Sequence, residues 1–334
     1  MPPGVVFFLP EPRFLIKPGA ARREGRKMKR VSIVGGGGNV GASAGLYLAE
    51  RGIAEVLLVD VLEGVPQGKG LDLLQAGPIR DYDAKVEGTN RIEDIAGSDV
   101  VLVTAGLARK PGMSRTDLLN KNAEIVGSIA AAIKTYAPNA IVVVVSNPLD
   151  IMTYHMRKIT GFPPQRVMGM AGVLDSARFR AFIAQELGVA VTDVQAMVLG
   201  GHGDSMVPLP RYSCVSGVPI TDLLDAATIE RLVDRTRKGG GEIVALLKTG
   251  SAFYAPGASA VQMIEAVLLD SKRFVPAAAY LNGEYGLSDV YVGVPVVIGA
   301  KGVERIVELP LTAAEKEALH RSAAEVKSGI AELG

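Results

Sequence analysis

Cysteine is nearly missing from this chain. Cys214 stands alone among 334 residues, so no intrachain disulfide can form. Without zinc-type cysteine spacing, that composition suits a reducing compartment, read here as the cytoplasm. An excess of charge is missing too. Lys+Arg 36 against Asp+Glu 35 leave a formal +1, so no global field argues for nucleic acid or an anionic membrane as partner. Apolar runs are short, as at residues 141–145, and none reaches the ~18 uncharged residues of a spanning helix. Histidine is scarce, with His155, His202 and His320 the three in the chain, which narrows the search for a proton-transfer group. What the chain does have is length and a hydrophobic content of 48%, enough for a large core and for two domains with a small-molecule partner.

The first 28 residues differ from the rest. An apolar run at 4–9 stops at Pro10-Glu11-Pro12 with no basic region before it, which argues against a secretory signal. The basic run at 22–27 has some transit-peptide character, but a flexible extension over 1–28 is expected, with Met28 as an alternative start. From 31 to about 170, β-rich runs alternate with helical stretches. Strands are expected at 31–35, 55–60, 86–89, 100–104, 141–145 and 166–170, several of them unbroken Val/Ile/Leu runs suited to burial on both faces. This predicts an α/β domain over 29–172, with a doubly wound parallel sheet. Beyond it, a helix over 175–187 and extended segments at 194–199 and 290–298 predict a second, α+β domain over 173–334 that takes the substrate. The tail reads as a helix: Thr312 and Glu315 fit a capping box, and Leu319, Ala323, Val326 and Ile330 recur at helical spacing.

Directly after the first strand stands Gly36-Gly37-Gly38-Asn39-Val40-Gly41, a G-x-G-x-x-G that opens a helix. Glycines permit the tight turn and let backbone N–H groups and the helix N-terminus approach a pyrophosphate. The motif alone is weak. It gains weight from Asp60, which ends the second strand about 20 residues further on, where a carboxylate binds ribose hydroxyls and repels a 2′-phosphate. Strand, glycines, helix and acid in this order predict a Rossmann fold and NAD rather than NADP. Thr104-Ala105-Gly106 and Val145-Ser146-Asn147 end the fourth and fifth strands at the same edge, leaving room for a flat ring.

Hydride transfer from a secondary alcohol leaves a proton to be taken, and a histidine suits that task. His155, in a helix near Met152 and Met156, and His320, on the tail helix, read as structural. His202 lies between Gly201 and Gly203, where a loop backbone can come close to a ligand. Taken in order, the glycine loop, Ala108-Arg109-Lys110-Pro111-Gly112-Met113-Ser114-Arg115, Ser146-Asn147-Pro148, Leu174-Asp175-Ser176-Ala177-Arg178 and Gly200-Gly201-His202-Gly203-Asp204-Ser205 resemble the motifs of lactate/malate dehydrogenases. The resemblance spans about 30 to 330 and is specific, apart from the four-glycine run 35–38, where many relatives have Gly-Ala-Gly.

The resemblance implies roles residue by residue. His202 is the proton acceptor and donor, and Asp175 its carboxylate partner, with Asp204 as an in-sequence competitor read as loop-shaping. Arg178, three residues after Asp175 on the same helical face, grips the substrate's C1 carboxylate with its planar fork. The segment 107–116 corresponds to a lid over the substrate, from which Arg115 polarises the C2 carbonyl; Asn147 orients the same oxygen, and Lys110 faces solvent. Asn122 joins the cofactor contacts. Ala252, in a run of small residues, is placed in the substrate pocket. Arg109 stands where lactate dehydrogenases usually carry glutamine, which implies a second carboxylate on the substrate and hence malate dehydrogenase activity, in a homodimer or homotetramer. An L-lactate or other 2-hydroxyacid dehydrogenase is the main alternative. An NAD-binding sensor would not need the intact His202, Asp175, Arg178 and Arg115, and a sugar hydrolase on a related dinucleotide fold would need metal ligands that Cys214 and three scattered histidines do not offer.

Closing a site over a guanidinium without its partner costs about 3–5 kcal/mol, against ~1–3 kcal/mol for fitting a methyl group. Arg109→Gln should therefore lower kcat/KM for oxaloacetate by roughly 10² or more while leaving NADH affinity unchanged, as read by steady-state kinetics and cofactor titration. Equal losses in both would place the segment elsewhere.

Overall fold

The computed structural model describes residues 28–107 and 115–333, with Arg115 described by its backbone alone. The expected extension, Met28 apart, and the segment that carries Arg109 and Lys110 lie outside the described residues.

Six strands, β1 (Arg30–Val34), β2 (Glu55–Val59), β3 (Val86–Thr89), β4 (Val100–Val103), β5 (Ile141–Val144) and β6 (Val167–Gly169), pair in parallel in the order β3-β2-β1-β4-β5-β6. Each ends within one residue of its expected bounds. The unbroken apolar runs have the reason the sequence suggested. Alternate residues of β4 and β5 enter cores on opposite faces, Val100, Leu102, Ile141 and Val143 on one side, Val101, Val103, Val142 and Val144 on the other. Helices α1 (Asn39–Arg51) and α2 (Val65–Arg80) flank the first strands, and α3 (Arg115–Tyr136) and α4 (Leu149–Thr160) pack against each other. The strand order reverses between β1 and β4, so the loops leaving these two strands diverge and open a crevice at the carboxyl edge of the sheet.

The second half opens with α5 (Gly172–Leu187). Five two-residue strands follow, β7 (Val194–Gln195), β8 (Val198–Leu199), β9 (Val207–Pro208), β10 (Cys214–Val215) and β11 (Val218–Pro219), then α6 (Ile220–Leu223), α7 (Ala226–Leu247) and α8 (Tyr254–Leu268). The chain finishes with β12 (Arg273–Asn282), β13 (Ser288–Gly299), β14 (Gly302–Ile306) and α9 (Ala313–Ala331). Two details differ from expectation. The extended stretch at 194–199 is two short strands in separate small sheets. More consequentially, the antiparallel β12, β13 and β14 do not form a sheet of their own: β12 pairs with β6 at Ala278 and Gly169 and extends the parallel sheet to nine strands. Glycine makes the junction possible. A Cβ on Gly169 would lie 2.9 Å from the Ala278 Cβ and 2.7 Å from Thr153 Oγ1, and one on Gly172 would lie 2.6 Å from the Pro276 Cβ.

The tail helix forms as its sequence dictates. Thr312 Oγ1 accepts the Glu315 N–H at 3.2 Å, and the Glu315 carboxylate accepts the Thr312 N–H at 2.8 Å. Leu319, Ala323 and Val326 are buried against β13 and α4, which ties the end of the chain to both halves of the sheet.

Candidate active site

The glycine loop turns directly out of β1. Gly35 has φ +90°, and a Cβ there would sit 2.5 Å from the Ala105 backbone nitrogen, so the loop lies against the end of β4 as only glycine allows. Cβ atoms on Gly36 and Gly41 would likewise collide, with Leu58 and with the Gly35 carbonyl. Gly38 caps α1 without a side-chain hydrogen bond, so the first-turn N–H groups of Asn39, Val40 and Gly41 have no partner within the helix and face the loop as anion donors. Asp60 follows β2, and its carboxylate accepts the Gly37 N–H at 2.9 Å and the Leu62 N–H at 3.1 Å. A Cβ on Gly37 would lie 2.7 Å from Asp60 Oδ2, inside the space beside that carboxylate. A backbone cradle at a helix N-terminus with an acid at its rim fits a pyrophosphate and an unphosphorylated ribose.

Across the crevice, Thr104 Oγ1 donates to the Gly35 carbonyl at 3.1 Å, and Ser146 Oγ donates to the Ala105 carbonyl. Val145 continues β5, its N–H bonded to the Val103 carbonyl at 2.8 Å. Gly106 approaches Asn122, 3.3 Å from its Oδ1 to a built Cβ. Asn122 is fully buried on α3, accepting the Leu107 N–H at 2.7 Å and donating to the Asn147 carbonyl at 2.7 Å. The amide thus braces the wall that carries Gly106 and Asn147. Asn147 itself is exposed and enters α4 through a cis bond to Pro148.

The acid–base groups meet at the start of α5. Asp175 lies in its first turn, where the helix dipole favours a negative charge, and is buried. One carboxylate oxygen, Oδ1, accepts from Arg178 Nη1 at 3.0 Å; the other, Oδ2, lies 2.9 Å from His202 Nδ1. A carboxylate that only accepts requires the hydrogen on Nδ1, which leaves Nε2 with its lone pair free for a substrate proton. Burial alone would push the imidazole down. The Asp175 carboxylate, by charge and hydrogen bond, and the Asp150 charge outweigh it against Arg178, so His202 lies above its ordinary 6.5. Arg178 keeps donors in reserve: its Nε is buried without a partner among the described residues, and a Cβ on Gly240 of α7 would lie 3.5 Å from Nη2. An orphaned guanidinium donor beside the imidazole is a seat for a carboxylate ligand.

The remaining candidates divide clearly. His155 is half-buried with Nε2 3.1 Å from the Ala123 carbonyl, and burial lowers its pKa; His320 contacts the Tyr285 carbonyl at 2.8 Å. Both serve packing between elements. Asp204 is exposed, and Ala252 is half-buried just before α8. Arg115 begins α3, its side chain outside the described residues together with Arg109. Among the described residues, no group of three or more His, Cys, Asp or Glu is placed to hold a metal ion, and no helix is long and apolar enough to cross a membrane.

Two side chains that hold the His202 loop escaped the sequence reading. Asp150, in the first turn of α4, accepts the His202 N–H at 2.7 Å, and Ser322 of α9 accepts the Gly201 N–H at 2.8 Å. A signal existed for each. Asp150 stands two residues beyond Ser146-Asn147-Pro148, and Ser322 is a polar residue set in the apolar stripe of the tail helix.

Comparison with known proteins agrees with this geometry. Residues 29–169 match the model of the lactate/malate dehydrogenase NAD binding domain, and 172–333 that of the lactate/malate dehydrogenase alpha/beta C-terminal domain. The malate dehydrogenase of Roseiflexus sp. (strain RS-1) is 56% identical over 304 residues, 91% of this chain and 98% of that one. The malate dehydrogenase structure from Salinibacter ruber superposes with a TM-score of 0.87 at 51% identity, covering 91% of this chain and 97% of that one. The lactate dehydrogenase of Cryptosporidium parvum, solved with lactic acid and nicotinamide adenine dinucleotide, gives 0.89 at 43% identity, covering 92% and 98%.

The Asp60 carboxylate generates a direct test. Asp60→Ala should weaken NAD binding about tenfold or more, as expected for losing a charge-assisted bond of about 1.5–3 kcal/mol, while slowing turnover at saturating cofactor far less. An unchanged cofactor Kd in calorimetry would remove Asp60 from the ribose.

Proposed function

The chain belongs to the lactate/malate dehydrogenase family, and on that premise we propose that it is an NAD-dependent malate dehydrogenase interconverting (S)-malate and oxaloacetate. The observation that carries the catalytic reading is the single buried carboxylate of Asp175 shared by His202 Nδ1 and Arg178 Nη1. Bound NAD supplies the hydride acceptor, and its reduced form the donor, at the substrate's C2 carbon. Gly36, Gly37, Gly38, Asn39, Val40 and Gly41 hold the pyrophosphate and Asp60 the adenine ribose; Thr104, Ala105, Gly106, Val145, Ser146 and Asn147 line the nicotinamide end, and Asn122 supports it from behind.

In malate oxidation, His202 Nε2 takes the proton of the C2 hydroxyl while Asp175 accepts from Nδ1–H and stabilises the imidazolium that forms. Arg178 binds the C1 carboxylate, which orients C2 toward the imidazole. Arg115 stabilises negative charge on the C2 oxygen, and Asn147 orients it. Arg109 pairs with the second carboxylate and sets the preference for a four-carbon diacid over pyruvate, with Ala252 leaving room in the pocket. In the reverse direction the protonated His202 returns its proton to the C2 oxygen.

The domain division at about 172 follows the same logic, cofactor before it and substrate after it. A homodimer or homotetramer in the cytoplasm completes the reading. Leu71, Leu74 and Ile79 leave apolar surface on α2 that suits a second copy of this chain, and the lone Cys214, a free thiol, suits a reducing compartment.

One assay tests the function. NADH oxidation with oxaloacetate and pyruvate side by side, repeated with NADPH, should show turnover with oxaloacetate and NADH far above the other combinations; comparable rates with pyruvate would make this a lactate dehydrogenase. The raised His202 sets the pH behaviour. Malate oxidation needs the neutral imidazole, so its kcat/KM should fall on the acid side with a midpoint above 6.5, and oxaloacetate kcat/KM should fall on the alkaline side with the same midpoint.

A further inference from the structure

His202 is approached by a second carboxylate. Asp150 is 4% exposed, its Oδ2 accepts the His202 N–H at 2.7 Å, and its Oδ1 has no partner among the described residues. The arrangement repeats that of Asp175. Each acid sits in the first turn of a helix, α4 or α5, and each is directed at the same residue, one at the peptide and one at the ring. The preceding Gly200–Gly201 peptide donates its N–H to Ser322, so consecutive peptides of the loop are held by α4 and α9. A Cβ on Gly201 would lie 3.1 Å from Val326 Cγ2 and 3.4 Å from Asp150 Oδ2 and Ser322 Oγ, so the loop packs closely on both helices.

Accepting one N–H does not require a charge. A neutral amide or hydroxyl would hold the peptide as well, whereas burying a carboxylate with one oxygen unpartnered is unfavourable unless its charge is used. The nearest use is the imidazole next to it. We propose that Asp150 is a positioning residue that holds the His202 peptide and supplies a second buried negative charge supporting the protonated imidazole. The inference rests on the reading of His202 as the proton acceptor. Burial pushes Asp150 up to about 6, against the His202 N–H, the His202 charge and its own backbone N–H, which favour its ionised form, and with the Asp175 charge acting in the same sense as burial. Asp150 is therefore ionised above about 6, and its charge then acts on the neighbouring imidazole in the same sense as that of Asp175. The charged groups involved are His202 on its loop and Asp175 and Arg178 on α5; Ser322 and Val326, from α9, carry no charge.

Asp150→Asn separates the two roles, because the amide oxygen still accepts the His202 N–H while the charge is gone. Without that charge the imidazolium is less stable, so the His202 pKa falls. The acid limb of malate oxidation and the alkaline limb of oxaloacetate reduction should both move to lower pH by about one unit. Oxaloacetate kcat/KM on the alkaline side then drops about tenfold, with NADH affinity unchanged. Proton NMR gives a readout independent of turnover, since the chain has only His155, His202 and His320: the His202 resonance should titrate lower in the variant and the other two should hold. If the resonance moves and the kinetic limbs do not, the electrostatic link stands and the catalytic reading of His202 fails. If neither moves, the proposal is overturned and Asp150 is a backbone acceptor alone. Asp150→Ser, which keeps a hydroxyl acceptor, should give the same displacement and serves as the test should the amide variant not fold.

Discussion

The structure depends on one buried carboxylate doing two things. Asp175 holds the imidazole of His202 through one oxygen and the guanidinium of Arg178 through the other. The shared acid fixes the imidazole tautomer, raises its basicity and keeps a carboxylate-binding cation within reach of the ring. These consequences require α5 to start where it does. Its first residue, Gly172, is packed so closely on Pro276 that a methyl group would not fit, immediately after β6. A packing constraint at the junction of the two halves thus bears on where the shared carboxylate stands.

Much of this was legible in the residues because local physics decides it. The six parallel strands were readable as unbroken apolar runs, since strands buried on both faces have no polar side to alternate with. Asp60 was readable from its spacing after the glycines, and the tail helix from the reciprocal bonds of Thr312 and Glu315. What escaped was set by contacts distant in sequence. Asp150 and Ser322 reach the His202 loop from 52 and 121 residues away, and neither spacing nor periodicity encodes such an approach. The joining of β12 to β6 escaped for the same reason: a change of element pattern near 172 reads as a separate fold, although the hydrogen-bonded sheet runs through it. Arg178 was legible as a partner of Asp175 by helical spacing, but the room that Gly239 and Gly240 leave beside it was not.

The fold itself is indifferent to the choice between substrates. Backbones of a malate dehydrogenase and of a lactate dehydrogenase superpose on this chain equally well, at TM-scores of 0.87 and 0.89. In the proposed arrangement the buried framework contacts only C1 and C2 and would serve any 2-hydroxy acid. Discrimination has to reside in groups that reach the far end of the substrate, and a charged side chain there weighs more than any refinement of apolar fit. In that arrangement chemistry and selectivity are carried by different parts of the molecule and can vary separately.

The seam at Gly169 and Gly172 reaches beyond catalysis. Because β6 and β12 are neighbours in one sheet, the two halves are joined by sheet pairing at Gly169 and Ala278 as well as by the chain. The molecule carries one hydrogen-bonded sheet across the boundary. Its halves are also not interchangeable modules: a chimera joining the front of one relative to the back of another would fold only if the backbone spacing at these two glycines were inherited together with the Ala278 and Pro276 they touch.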